Sequence, residues 1–152
     1  MTEKQNTANA SELKSWYKRL LDHVVNEMLR AGVVSGAAVE AAPIWVLPQQ
    51  ILIAQVWGAG QKSSFIWTIS GDGAIMDHIA GSVAATPRDV ARHFALKWQM
   101  DAEQLHRVAR RKTASERDAK QIETYAERIV QCSERLYDLA GRDGIWGGEL
   151  PG

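Results

Sequence analysis

Asp72, Asp77 and His78 fall within one seven-residue stretch of the segment ISGDGAIMDHI. Two carboxylates and an imidazole are side chains from which a divalent-metal site or an acid/base pair can be built. They follow a β-like run, in the kind of loop that carries function more often than the scaffold does. The competing reading is architectural: Asp72-Gly73 makes a turn and Asp77 caps a local turn with His78 packed beside it. No spacing here matches a specific metal motif, so the architectural reading is the stronger one. Asp72, Asp77 and His78 stand as the only catalytic candidates, and no metal or cofactor is expected.

Other chemistry-bearing residues are weaker still. His93 and His106 are thirteen positions apart, which does not place them on adjacent turns of one helix as metal ligands would be. Cys132, the single cysteine, lies among Ile129 and Leu136 and reads as a buried, inert thiol. The glycines at 58, 60, 71 and 73 lack a following Lys-Ser/Thr and open no helix, so they form no phosphate loop. Ser70-Gly71 lacks the surroundings of a nucleophile elbow. Arg107, Arg110, Arg111 and Lys112 form the densest basic cluster, and Trp45, Trp57 and Trp67 are aromatic residues of the kind that stack bases on a sheet. Together they imitate a nucleic-acid surface. Cations are also favoured in the last turn of a helix by its dipole, and strand tryptophans usually belong to a core.

These residues need a scaffold. Ser11 is a suitable N-cap, and Leu13, Trp16, Tyr17, Leu20, Leu21, Val24, Val25, Met28 and Leu29 follow at helical spacing until Gly32. Residues 1–10 lack periodicity and are expected to be a disordered tail. From Pro43 the pattern turns to β-branched and aromatic runs broken by turn residues, giving three strands at about 39–47, 51–57 and 64–70. The short, glycine-bearing connection at 58–62 favours an antiparallel hairpin. Thr86-Pro87 then caps and opens a helix to about residue 111. Its apolar stripe is Val90, Ala91, Phe94, Ala95, Trp98, Ala102, Leu105 and Val108. A last helix spans 115–140, with Ile122, Tyr125, Ala126, Ile129, Val130, Leu136 and Tyr137 in its stripe and Gly141 at its end. The expected fold is α+β: a small three-stranded antiparallel sheet packed by an N-terminal helix and a C-terminal helical hairpin. Residues 11–141 are expected to form one domain, followed by a glycine-rich tail at 142–152.

The chain has 152 residues, with 18 basic and 18 acidic side chains. Net neutrality gives no long-range attraction to nucleic acid or anionic membrane, so nucleic-acid binding is disfavoured. By segment the balance is uneven. Residues 32–86 hold only Glu40, Lys62, Asp72 and Asp77, whereas 87–120 hold nine basic and five acidic residues and 121–152 hold three and six. Ile51 to Trp57 contains a single polar residue, Gln55, where a sheet solvated on one face should alternate. Both faces of the sheet should therefore be covered, either by the chain's own flanking segments or by a partner.

The stretches WVLPQQILIAQVWGAGQ, FIWTISGDGAIMDHI and ATPRDVARHFALKWQ, across about residues 43–105, resemble an uncharacterised bacterial family known as a domain of unknown function. The resemblance implies a small bacterial cytosolic protein and brings no activity, cofactor or catalytic residue with it.

The polar opening MTEKQNTANAS carries no secretory signal, and no apolar run approaches a membrane span, so a cytoplasmic protein without a membrane partner is expected. The favoured function is that of a non-enzymatic protein-binding or regulatory protein. An immunity-type inhibitor or a homodimer using the uncharged sheet surface would be an instance. The alternatives are a small metal-assisted or acid/base enzyme centred on Asp72, Asp77 and His78, and nucleic-acid binding through Arg107 to Lys112.

Overall fold

The computed structural model describes residues 2–36, 38–111 and 115–148. Helix α1 spans Thr2–Arg30. It begins well before Ser11 and so takes in most of the segment expected to be a disordered tail. Once an amphipathic stretch has nucleated a helix, polar residues ahead of it extend it at one hydrogen bond per residue. Tyr17, Val24 and Met28 are its buried residues. Its end is a Schellman motif: Val33 N–H donates to Met28 O at 3.0 Å and Gly32 N–H to Leu29 O at 3.1 Å, with Gly32 at φ 72°. Val33 packs in the same apolar cluster as Met28, as that motif favours.

Four strands follow, β1 (Val39–Leu47), β2 (Ile51–Gly58), β3 (Ile66–Ser70) and β4 (Asp77–Ala80). They pair antiparallel in sequence order as a meander. The expected three-stranded sheet is thus corrected to four. β4, of sequence DHIA, has only four residues and two polar side chains, so it lacks a strand-like pattern. Its pairing comes from β3, and an edge position tolerates its polar residues. The other edge strand, β1, holds Pro43 at a register irregularity between Pro43 and Trp45. An edge bulge is where a residue without an N–H can sit in a sheet.

The register sorts side chains onto two faces. Leu52, Ala54 and Val56 of β2 meet α1 through Leu13, Tyr17, Leu20, Leu21, Val24 and Met28. The opposite face carries Trp45, Ile51, Ile53, Trp57, Trp67 and Ile69, all buried as well. Burial on both sides explains why β2 does not alternate.

Helix α2 spans Pro87–Ala109 and helix α3 Glu116–Ala140. The Ser115 hydroxyl accepts from Asp118 N–H at 3.1 Å, the N-cap expected from sequence. Gly141 ends α3, its N–H bonded to carbonyls of the last turn. The two helices are antiparallel. Arg88 Nε of α2 reaches Ala140 O of α3 at 2.7 Å, and at the other end His106 Nδ1 lies 2.7 Å from Glu123 Oε2.

The chain divides into two compact units. One runs from α1 through the sheet to Pro87 and includes Trp146; the other is Arg88–Ile145. No described helix is long and apolar enough to cross a membrane.

Candidate interaction surface

The Asp72–His78 segment is divided by the strand it enters. Asp77 pairs with Ile69 and His78 with Thr68, and successive residues on a strand point to opposite faces. Asp77 Oδ1 instead accepts from the backbone N–H of His78 at 2.8 Å, so it stiffens the strand entry. Among the described residues no group of three or more His, Cys, Asp or Glu side chains is placed to hold a metal ion. The glycines of the segment have a packing role. Gly71 sits at φ 119°, where a Cβ would run into the Gln50 carbonyl, and Gly73 N–H donates to that same carbonyl at 2.9 Å. The turn after β3 is thereby laid against the turn between β1 and β2.

Trp45, Trp57 and Trp67 are 4%, 7% and 2% exposed, and each has a partner. Trp45 stacks on Trp146 with ring centroids 4.2 Å apart. The Trp57 indole donates to Glu40 Oε2 at 2.8 Å, with Lys62 Nζ 5.2 Å from its ring centroid. The Trp67 indole donates to Ala84 O at 2.9 Å. The charged residues Glu40 and Lys62 therefore serve a tryptophan each way, as acceptor and as cation. None of the three indoles presents an open ring face of the kind that stacks bases.

The basic cluster lies at the end of α2. Arg107 pairs with Glu103 at 3.0 Å, Arg110 and Arg111 are exposed, and Lys112 lies outside the described residues. The first half of α3, up to Arg128 at its middle, adds cations that the sequence pattern does not single out. Arg117, Lys120 and Arg128 surround the half-exposed Tyr125 in an open groove of about 570 Å³. The remaining candidates are structural. His93 packs edge-on to Phe94, His106 joins α2 to α3 through Glu123, and Cys132 is buried. Burial pushes the Cys132 thiol above its ordinary pKa, partly offset by Arg128 and Arg135.

The largest exposed apolar side chains collect elsewhere, on the outer side of α2 and α3. Leu96 and Met100 are 62% and 64% exposed, and Tyr137 is 71% exposed. Leu96 and Tyr137 line one groove of about 430 Å³ with Arg92 and Gln99. Ion pairs bracket the apolar centre along α2: Arg92 with Asp89 at 3.1 Å on one side, Arg107 with Glu103 at 3.0 Å on the other. Tyr125 and Tyr137, expected in the buried stripe of α3, stand out from it. Leu96 and Met100 carried a usable sequence signal, because they are two residues either side of Trp98 and so point away from the stripe it belongs to.

No curated protein and no solved structure matches the chain. Residues 11–146 match a family described as a domain of unknown function, DUF4826. With nearly all of its described elements inside that match, from the amphipathic part of α1 to Trp146, the chain belongs to this family.

Proposed function

We propose that this protein acts by binding protein, as a non-enzymatic regulatory or assembly component, through the outer face of α2 and α3. One observation carries the reading: Leu96, Met100 and Tyr137 stand exposed on this face, within a folded chain that buries both sides of its sheet. Exposed apolar residues are ordinary singly, but a group rimmed by charged side chains marks an interaction surface. The lack of charge in residues 32–86 points to the sheet, but Ile51 to Ala54 are buried on both of its faces, which leaves the helices as the open surface. An inhibitor that occupies another protein's site and a self-associating protein are both forms of this reading. A bacterial, cytoplasmic setting is part of the proposal and rests on the quoted sequence resemblance and the lone cysteine.

The test is a photo-crosslinking amino acid placed at position 96 and, as a control, at exposed Ala59, in cells of the native host. Protein adducts at 96 and none at 59 are expected. Equal or absent adducts at both positions, from variants that melt like the parent protein, would overturn the reading.

A second reading has its own observation. The groove around Tyr125 combines three cations with an aromatic ring, which suits a polyanion such as single-stranded nucleic acid. It requires affinity that falls steeply with salt and that Arg117→Ala/Lys120→Ala weakens. Affinity indifferent to salt and to that variant would remove it.

A further inference from the structure

Along the outer side of α2 the residues Asp89, Arg92, Leu96, Met100, Glu103 and Arg107 follow one another at steps of three and four, so they form a single stripe. The buried residues Ala91, Phe94, Trp98 and Ala102 occupy the opposite side of the helix. The order along the stripe is acid, base, apolar, apolar, acid, base. It has a property that a random solvated face would lack. When the stripe is turned end to end about the level of Trp98, acid falls on base and apolar on apolar at every position. Asp89 meets Arg107, Arg92 meets Glu103, and Leu96 meets Met100.

We propose that α2 pairs with α2 of a second copy across a two-fold axis near Trp98, making the protein a homodimer through this stripe. The inference rests on the binding reading above and names the occupant of that surface. A two-fold interface uses the same patch on both partners and therefore needs a self-complementary patch. The pairs Arg92–Asp89 and Arg107–Glu103 already hold their side chains within each helix, and two such pairs brought together alternate in sign around a four-residue ring. Leu96 and Met100 of both copies form the apolar centre, and Tyr137 stands beside it in the groove that Leu96 lines. Charged pairs at the rim fix the antiparallel register, because a parallel arrangement would set Asp89 on Asp89 and Arg107 on Arg107.

The experiment uses charge exchange on the full chain, with mass in solution read by light scattering and sedimentation. The parent protein is expected to show a concentration-dependent dimer. Arg92→Glu places a carboxylate against Glu103 of the other copy, and Glu103→Arg places a guanidinium against Arg92. Each variant alone should dimerise about tenfold more weakly or worse. Mixed in equal amounts they should recover the dimer, since each copy then supplies the charge the other lacks. Circular dichroism melting confirms that both variants fold. A parent protein that stays monomeric at high concentration would overturn the proposal, as would single variants that dimerise normally or a mixture that stays monomeric. If position 96 crosslinks to a different protein while the parent is monomeric, self-pairing fails and the binding reading survives.

Discussion

In β2 the successive residues Ile51, Leu52, Ile53 and Ala54 are all buried, although they point alternately to opposite faces. In α2 the buried residues Val90, Ala91, Phe94, Ala95, Trp98 and Ala102 share one side, while Leu96 and Met100 on the other side remain open. Both regions bury apolar residues, but only the charged helix also leaves large ones on an open side. The sheet uses its apolar and aromatic residues to complete a core, and the exposed Glu40 and Lys62 flank Trp57 at its edge. The helices keep apolar residues in reserve on a charged outer face. Lack of charge in a sequence therefore marks the interior of the sheet here, and the most exposed large apolar residues, Leu96, Met100 and Tyr137, sit on the charged helices.

Substitutions can break that contrast. The largest effect belongs to the sheet: Ile53→Ala should cost about 3–4 kcal/mol in denaturant unfolding, since a fully buried side chain leaves both a transfer loss and a cavity. A cost near zero would mean that this face is open. Gly71→Ala should cost about 2 kcal/mol or more, because its φ of 119° and the Gln50 carbonyl both oppose a Cβ. A neutral result in thermal melting would show that the turn can shift, and that the glycine is there for another purpose. In the helical unit Ser115→Ala removes the N-cap of α3 and should cost about 1 kcal/mol, read as faster amide exchange in that helix's first turn. The smallest effect returns to the sheet. Among the described residues Ser70 Oγ is buried without a hydrogen-bond partner, so Ser70→Ala should be neutral or stabilise by up to about 1 kcal/mol. A clear loss of stability would show that the hydroxyl is engaged.

Much of the scaffold was readable because local chemistry and tertiary structure agree. Gly32 ends α1, Pro87 opens α2, Ser115 caps α3 and Gly141 ends it, and the first three strands fall within two residues of the expected bounds. β4 escaped because a four-residue polar edge strand has no period of its own and takes its conformation from β3. The start of α1 at Thr2 escaped because polar residues without periodicity extend a helix without announcing it. The candidate site was less legible. Two adjacent residues, Asp77 and His78, look like a pair in sequence, and a strand sends them apart. Leu96 and Met100 were visible only as residues out of phase with the stripe around Trp98.

The sequence by itself determined most of the segments that become helix and strand, β4 and the first turns of α1 excepted, since period, caps and turn residues act over a few positions. It also determined the alternating order of charge along α2, which the helical repeat turns into a stripe. Only the tertiary structure decided which apolar surfaces are consumed. Whether Trp45, Trp57 and Trp67 face solvent depends on what covers them, including Trp146 a hundred residues away from Trp45, and burial is a property of packing between distant segments.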